Sequence, residues 1–204
     1  MLGIVDYGGG NVFSVARAFE AIGETPALLS TPDAIAAADR LVLPGVGAAA
    51  AVLDAIRARG LDSALRETVI GRGRPMLGIC VGMQILARRL HEFGETDGLG
   101  WVDGEVGNIR AMGAPRCPHM GWNTVSAARV PAPFRRALDG KSFYFCHSYA
   151  VSGTADGDVA GVTEYGGEII AALAFGPVIA TQFHPEKSQI NGQRFLEAFV
   201  DWAP

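Results

Sequence analysis

The chain has 204 residues, a formal charge of −4 and an apolar content of 49%, which predict one globular domain, residues 1–204, with a core of its own. The mild charge and the lack of a basic patch argue against nucleic acid as a partner. The three cysteines suggest no disulfide framework, and the sequence shows neither a signal peptide nor an apolar run of the roughly 20 residues that span a bilayer. We therefore expect a cytoplasmic protein with no membrane contact.

The first half of the sequence alternates predicted strands with predicted helices. Apolar runs predict buried strands at residues 2–6, 27–29, 41–43 and 76–79, the third of them stopped by Pro44-Gly45. Helical periodicity predicts a helix from Val12 to Phe19 and another that starts at Thr31-Pro32-Asp33. It also predicts two helical segments split at Gly60 and a helix over residues 82–90. This alternation predicts an α/β fold with a doubly wound, mostly parallel central sheet and helices on both faces.

The second half has a different character. Residues 98–179 carry short apolar runs separated by Gly and Pro, which predict a strand-rich C-terminal half, as an antiparallel extension of the same sheet. Residues 189–202 then predict a closing helix with one apolar face.

Residues 75–84 predict a nucleophile turn. An apolar strand leads into Gly78-Ile79-Cys80-Val81-Gly82, after which helical periodicity begins. A sharp strand-to-helix turn strains its central residue, and glycines two positions away on either side relieve the crowding. The helix N-terminus would favour the thiolate of Cys80, and the Val81 N–H could donate to a developing oxyanion. A lone cysteine at such a position could also be simply a buried structural residue.

A base and its orienting group are predicted at the end of another apolar run, residues 178–180. His184 follows that run, and imidazole titrates in the range needed to take a proton from a thiol and return it to a leaving amine. Glu186 can reach the other ring nitrogen and fix the tautomer. Each residue alone is more often structural, but with Cys80 they predict a catalytic triad.

Three further patterns in the sequence contain residue types that occur in binding or catalytic sites. Pro44-Gly45-Val46-Gly47 ends a strand with small residues, so backbone N–H groups at Val46 and Val81 could form an oxyanion hole. Gly8-Gly9-Gly10 lacks both the G-x-G-x-x-G spacing and the P-loop lysine, so no dinucleotide site is predicted. Cys117-x-His119 and Cys146-His147 contain metal-ligand types without a Cys-x-x-Cys pair. We predict neither a metal nor a cofactor.

The motifs GICVGMQ and QFHPE resemble those of the class I, or triad, glutamine amidotransferases. Further blocks resemble, more narrowly, the glutaminase subunits of imidazole glycerol phosphate synthase: DYGGGN at residues 6–11, LPGVG at 43–47, PHMGWN at 118–123, FYFCHSY at 143–149 and HPEKS at 184–188. The blocks stand in the expected order and cover nearly the whole chain. The departures are Ala49, where the resemblance leads us to expect Phe, Cys117, where it leads us to expect an aliphatic residue, and Cys146, where it leads us to expect Val.

The resemblance implies a flavodoxin-like fold and a role for each matching residue. Cys80 would attack the carboxamide of L-glutamine, His184 would move the protons, and Glu186 would orient His184. Val46 and Val81 would supply the oxyanion donors. The remaining substrate contacts would be Gly45, Gly47, Gln84, His147, Ser148 and Tyr149. Residues facing the partner would be Asn11, Met120, Trp122 and Lys187.

The implied partner is a (β/α)8-barrel cyclase, bound as a heterodimer. It would use the released ammonia to make imidazole glycerol phosphate and aminoimidazole carboxamide ribotide in histidine biosynthesis. Two other enzymes stay open as alternatives: the glutaminase of another synthase, such as pyridoxal phosphate synthase, and a stand-alone cysteine hydrolase. PHMGWN and the GMQ after the nucleophile argue against both. A binding subunit without turnover should have lost a member of the triad, and all three members are present.

Overall fold

The computed structural model describes residues 1–127 and 129–204. Its strands are Leu2–Val5 (β1), Ala27–Leu29 (β2), Arg40–Gly45 (β3), Met76–Cys80 (β4), Ala87–Leu90 (β5), Thr96–Asp97 (β6), Val102–Asn108 (β7), His119–Val125 (β8), Lys141–His147 (β9), Tyr149–Ser152 (β10), Val159–Glu164 (β11), Glu168–Phe175 (β12) and Val178–Thr181 (β13). Its α-helices are Val12–Glu20 (α1), Pro32–Ala36 (α2), Ala49–Ala58 (α3), Leu61–Arg66 (α4), Val81–Gln84 (α5), Ala132–Leu138 (α6) and Gln189–Asp201 (α7).

A seven-stranded sheet forms the centre of the molecule, in the order β11-β12-β13-β4-β3-β1-β2. The five strands from β13 to β2 are parallel. Parallel crossovers are right-handed, so α1, which leads outward from β1 to β2, lies on the opposite face from α2, α3 and α4, which lead back toward β4. The predicted α/β fold with helices on both faces is confirmed.

The strand-rich second half extends this sheet only in part. β12 and β11 continue it in antiparallel pairing beyond β13. The other strands form a four-stranded sheet, β10-β7-β5-β6, and the separate hairpin-like pair β8–β9. In this hairpin-like pair, residues 119–125 pair in antiparallel orientation with residues 141–147.

The sequence predicts a helix over residues 82–90, and this prediction is wrong. The helix is the single turn α5, after which the chain enters β5. The Leu86 carbonyl accepts from Trp101 N at 2.8 Å, and β5 then pairs in parallel with β7. The partner strand is distant in sequence, so local periodicity gave no sign of it. A one-turn helix also has a smaller dipole than the predicted nine-residue helix.

A second correction concerns the end of β3. The strand does not stop before Pro44-Gly45 but pairs through both residues with β4, as far as Gly45 opposite Cys80. Pro44 is tolerated because the β1 ladder on the other side of β3 ends at Val42, so no neighbour there needs an N–H donor from residue 44.

One continuous cluster of buried apolar side chains runs from Leu2 to Trp202 and packs both helical layers against the central sheet. Among the described residues, no helix combines the length and the apolar character needed to cross a bilayer.

Candidate active site

Three neighbouring parallel strands end at the same edge of the central sheet. β4 ends at Cys80, β3 ends beside it at Gly45, and β13 on the other side leads to His184 three residues beyond its end. Sites in open α/β sheets form at the carboxyl ends of strands. The topology therefore brings together residues from the middle and the end of the chain.

Cys80 occupies a strained backbone position, with φ 54° and ψ −108°. Such positive φ values cost free energy for any residue except glycine and are concentrated at functional sites. A Cβ on Gly82 would lie 2.0 Å from the Leu43 carbonyl oxygen, and a Cβ on Gly78 would lie 3.0 Å from the Gly82 carbonyl oxygen. The two glycines are thus required by close packing of the turn against β3 and against itself, rather than by contact with the Cys80 side chain.

Val81 is the first residue of α5, where a backbone N–H has no acceptor within its own helix. Its side chain is buried and lines the same pocket as Cys80. On the facing strand end, Gly45 lies beneath this turn, and a Cβ there would lie 2.5 Å from the Gly82 nitrogen. Val46, the next residue, lines the pocket and is exposed. The two predicted oxyanion residues therefore both border the space next to the thiol.

His184 and Glu186 form a buried pair. His184 Nδ1 lies 2.8 Å from Glu186 Oε1, and their side chains are 3% and 1% exposed. A carboxylate can only accept, so Nδ1 carries the proton and Nε2 is left for Cys80. The His184 backbone is fixed at both ends, because its N–H donates to the Tyr144 carbonyl and its own carbonyl accepts from Ser188 Oγ.

The electrostatic environment of His184 favours its charged form. Burial lowers the pKa of the imidazole, but interactions with Cys80 and Glu186 outweigh it and raise the pKa to about 9. An imidazolium between a sulfur and a carboxylate is stabilised most when that sulfur is a thiolate. The arrangement is therefore suited to an ion pair between Cys80 and His184.

A cavity of about 490 Å³ opens above Cys80, within the range of roughly 300–1,000 Å³ typical of small-molecule sites. Its lining includes ten of the predicted site residues: Val46, Gly47, Cys80, Val81, Gln84, His147, Ser148, Tyr149, His184 and Lys187. Of the other predicted residues, Gly45 lies under the nucleophile turn and Glu186 behind His184.

The cavity also includes residues that were not predicted from the sequence: Glu92, Pro118 and Cys146. Glu92 is the important addition because it brings a carboxylate to the pocket. Its Oε2 accepts from the Ala49 N–H at 2.7 Å, which caps the first turn of α3. The buried Ala49 occupies the position where Phe was expected. Glu92 lies just past β5, two residues beyond the segment 82–90 whose helix prediction was wrong, and no local pattern pointed to it.

His119 and His147 contact each other and are not placed as metal ligands. Tyr149 O lies 2.9 Å from His147 Nδ1 and can only accept, so that nitrogen carries the proton. His147 Nε2 therefore accepts from His119 Nδ1 at 3.1 Å, and His119 Nε2 faces the Asn123 amide at 3.4 Å. Burial lowers the pKa of each ring to about 4. In the part of the chain described, no group of three or more metal-ligand side chains was found.

The residues predicted to face a partner lie mostly outside the cavity. Met120 and Trp122 project from β8 with 60% and 48% of their surface exposed. Lys187 is exposed at the rim of the cavity. Asn11 precedes α1 with a left-handed φ of 57°. The structure thus brings Lys187 to the pocket and leaves Met120 and Trp122 as an uncovered apolar surface.

The glycine cluster at residues 8–10 packs against protein atoms. A Cβ on Gly10 would lie 2.5 Å from Tyr7 Oη and 3.2 Å from the Pro44 carbonyl oxygen. Burial raises the pKa of Tyr7 to about 12, with an opposing contact from the Val46 backbone. The cluster therefore lets the first loop approach the β3 end closely.

Comparison with known proteins identifies the class. Residues 3–202 match the family described as Glutamine amidotransferase class-I. Among solved structures, a crystal structure of a glutamine amidotransferase superposes with a TM-score of 0.77 at 18% identity, covering 98% of this chain and 97% of that one. PurLQS from Thermotoga maritima superposes with a TM-score of 0.70 at 20% identity, covering 98% and 97%. At these identities the structures support the fold alone.

Closer relatives narrow the assignment. The imidazole glycerol phosphate synthase subunit HisH of Zymomonas mobilis is 44% identical, over 98% of this chain and 95% of the relative. The HisH subunit of Caulobacter vibrioides is 40% identical, over 98% of each chain. The chain belongs to the class I glutamine amidotransferases and, within them, to the family of these HisH subunits. The resemblance drawn from the motifs is confirmed.

Proposed function

We propose that the chain is the glutaminase subunit of an imidazole glycerol phosphate synthase in histidine biosynthesis. It hydrolyses L-glutamine to glutamate and ammonia as a single cytoplasmic domain and passes the ammonia to a (β/α)8-barrel cyclase in a heterodimer. The observation that carries the proposal is the buried His184–Glu186 pair beside the strained Cys80, at the floor of a cavity of about 490 Å³.

In the first half of the reaction, the Cys80 thiolate attacks the side-chain carbonyl carbon of glutamine. The carbonyl oxygen becomes an oxyanion, which the N–H groups of Val46 and Val81 would stabilise by about 3 kcal/mol each. The Nδ1–H of His184 donates a hydrogen bond to Glu186, and His184 transfers its Nε2 proton to the leaving nitrogen. The C–N bond breaks, ammonia leaves and a thioester on Cys80 remains.

In the second half, His184 acts in the opposite direction. Its neutral Nε2 takes a proton from water, and the resulting hydroxide attacks the thioester. The C–S bond breaks, glutamate leaves and the thiolate–imidazolium pair is restored. Glu186 keeps the ring in one orientation through both halves, because the carboxylate and Nδ1 stay 2.8 Å apart in a buried site.

The amino-acid end of glutamine requires both an anion-binding and a cation-binding contact. Gln84 donates both of its side-chain N–H groups to acceptors within the protein, to the Tyr149 carbonyl oxygen at 2.7 Å and to Gln182 Oε1 at 3.1 Å. Only its Oε1 is left, and an acceptor suits the α-ammonium group. The Glu92 carboxylate, in the same cavity, adds a charge of the right sign. Gly47 and the residues 147–149 line the remaining wall, where the α-carboxylate would bind.

The exposed surface near the cavity supports a partner. Ammonia is mostly protonated at neutral pH and is then not nucleophilic, so transfer within a closed interface keeps it reactive. Met120 and Trp122 offer the uncovered apolar and aromatic side chains that interface cores favour. Lys187 at the cavity rim and Asn11 would add polar contacts.

The decisive experiment measures glutamate release by the purified chain, alone and then with the barrel cyclase and its ribulosyl substrate. A slow rate that rises by orders of magnitude on addition of both supports a gated ammonia donor. An unchanged rate refutes this partner and directs the search to other ammonia-using synthases. The variant Trp122→Ala serves as an interface control, since it should weaken the stimulation without changing the basal rate.

A further inference from the structure

Gln182 is a buried polar residue whose side chain reaches the nucleophile. It follows β13 directly, two residues before His184, and is fully buried. Its Nε2 lies 3.6 Å from Cys80 Sγ, within hydrogen-bonding distance for a sulfur acceptor. It does not line the cavity, so it touches the sulfur from the protein side and not from the substrate side.

The orientation of this amide follows from its neighbours. The Tyr149 carbonyl can only accept, so the Gln84 side chain must turn its nitrogen toward it. The second proton of that nitrogen then points to Gln182, which must present its oxygen, at 3.1 Å. The Gln182 nitrogen is thereby left on the side of Cys80. The donor next to the sulfur is fixed by the chain of contacts and is not a free choice between two amide orientations.

The same chain of contacts is anchored in the hairpin-like pair β8–β9. The Tyr149 carbonyl also accepts from His147 Nδ1 at 2.9 Å, and His147 Nε2 is itself held by His119. At the other end, the Gln182 backbone N–H donates to the Ala171 carbonyl at 2.9 Å. Gln182 is therefore immobilised at its backbone and at its side-chain oxygen, which leaves its N–H groups pre-oriented.

We propose that Gln182 is a dedicated hydrogen-bond donor to the Cys80 thiolate, held in that orientation by Gln84. A donor gains more from a charged acceptor than from a neutral thiol, so this contact favours the reactive form of the nucleophile. The one-turn helix α5 supplies less dipole support than a long helix would, and Gln182 adds a local donor to the sulfur. The inference deepens the proposed function and depends on Cys80 being its nucleophile.

Other titratable or charged groups near the sulfur are unchanged in the test. His184 contacts it from the chain that follows β13, and Tyr7, which is neutral because burial raises its pKa to about 12, lies near it just past β1. Glu92 and Lys187 line the cavity, and His147 faces it as a neutral ring because burial lowers the pKa of His147 to about 4.

The test is the pH dependence of Cys80 alkylation by iodoacetamide, followed residue by residue with mass spectrometry. The variant Gln182→Met fills the space but donates nothing. We expect the pH midpoint of its alkylation to rise by about one unit, a roughly tenfold loss of thiolate at lower pH. For glutamine hydrolysis, kcat should fall while KM stays near the wild-type value, because Gln182 does not line the cavity.

Gln182→Glu is the second variant and decides the outcome if the methionine variant does not fold. The carboxylate can still accept from Gln84 but places negative charge beside the sulfur, so its midpoint should rise at least as far. Thr181→Val is the matched control. It removes a buried hydrogen bond, from Thr181 Oγ1 to the Phe183 carbonyl, on the adjacent residue without touching Cys80.

The outcomes separate the inference from the proposed function. A midpoint raised in both Gln182 variants and unchanged in Thr181→Val supports the inference. Profiles of the Gln182 variants that superimpose on wild type overturn it, and so does an equal shift in Thr181→Val, which would assign the effect to strand packing. If wild-type Cys80 reacts no faster than Cys117 and Cys146, the nucleophile itself is wrongly assigned and the proposed function fails first.

Discussion

The paired rings of His119 and His147 should make the fold sensitive to mild acid. Each nitrogen of the pair already has its donor or acceptor role fixed by Tyr149 O and the Asn123 amide. A proton added to either ring would place two N–H donors opposite each other in place of a hydrogen bond. Burial lowers the pKa of each ring from 6.5 to about 4, so the folded protein excludes a proton that the unfolded chain binds.

The sign and size of the effect follow from linkage. Between pH 4 and 6.5 the unfolded chain holds more protons than the folded one, so stability falls as pH falls. The contribution of each ring is fully present above its ordinary pKa of 6.5 and is lost as pH drops toward 4. By pH 5, the loss amounts to about 2 kcal/mol for each ring.

The variant His119→Phe removes one of these titrations and keeps the ring stack, since His119 lies 4.7 Å from the Phe145 centroid and 3.9 Å from that of Tyr165. At pH 7 the variant should be less stable by about 1–3 kcal/mol because His147 Nε2 loses its donor. Urea unfolding at pH 7, 6 and 5 then measures the difference from wild type, which should shrink by about 2 kcal/mol between the extremes.

A difference that stays constant across this pH range would refute the reasoning, because it would mean that His119 binds its proton equally in both states. The exposed His91 provides the control. Its variant His91→Gln removes an exposed imidazole that lies 3.0 Å from a Glu105 carboxylate oxygen. Protonation of wild-type His91 strengthens this pair and does not break it, so the variant's stability curve should not converge on the wild-type curve as pH falls.

Three predictions concern the catalytic site. Cys80→Ala should abolish glutamine hydrolysis and leave cyclase binding intact, as measured by glutamate release and by titration with the partner; loss of the complex would make the thiol structural. Glu186→Gln should lower kcat less than His184→Ala, because a neutral amide can still accept from Nδ1, and the reverse order in steady-state kinetics would contradict the assigned roles. Glu92→Gln should raise KM for glutamine about tenfold with little change in kcat, since it removes the charge expected to meet the α-ammonium; an unchanged KM would exclude that contact.

The parallel half of the fold could be predicted from the sequence because its information is local. Apolar runs gave the positions of β1, β2, β4 and β13, and Thr31 caps α2 through a bond from the Ala34 N–H, as its pattern predicts. The helix prediction for the segment after α5 failed because the conformation of that segment depends on pairing with β7, which is distant in sequence. Periodicity within a window cannot reveal such pairing, so tertiary contacts overrode the local helical preference.

The residues of the candidate site could likewise be predicted only where their signal in the sequence is local. Residues in contiguous motifs, such as Cys80 and His184, could be placed from the sequence because a strand leads directly into each. Gln182 had a visible signal, a polar residue between an apolar strand and the histidine, but its role depends on contacts with Gln84 that only the fold reveals. Glu92 had no local signal. It reaches the cavity because β5 redirects the chain.

The position of β4 also has a consequence for how the protein is made. Its neighbour β3 precedes it in sequence, but its other neighbour, β13, is synthesised roughly half a chain later. Until then β4 has no partner on that side, and unpaired strand edges are in general prone to misassembly. The same interval separates Cys80 from His184. A chain still on the ribosome, or one truncated before residue 178, carries Cys80 without His184, and under the proposed mechanism it is not expected to consume glutamine before its sheet is complete.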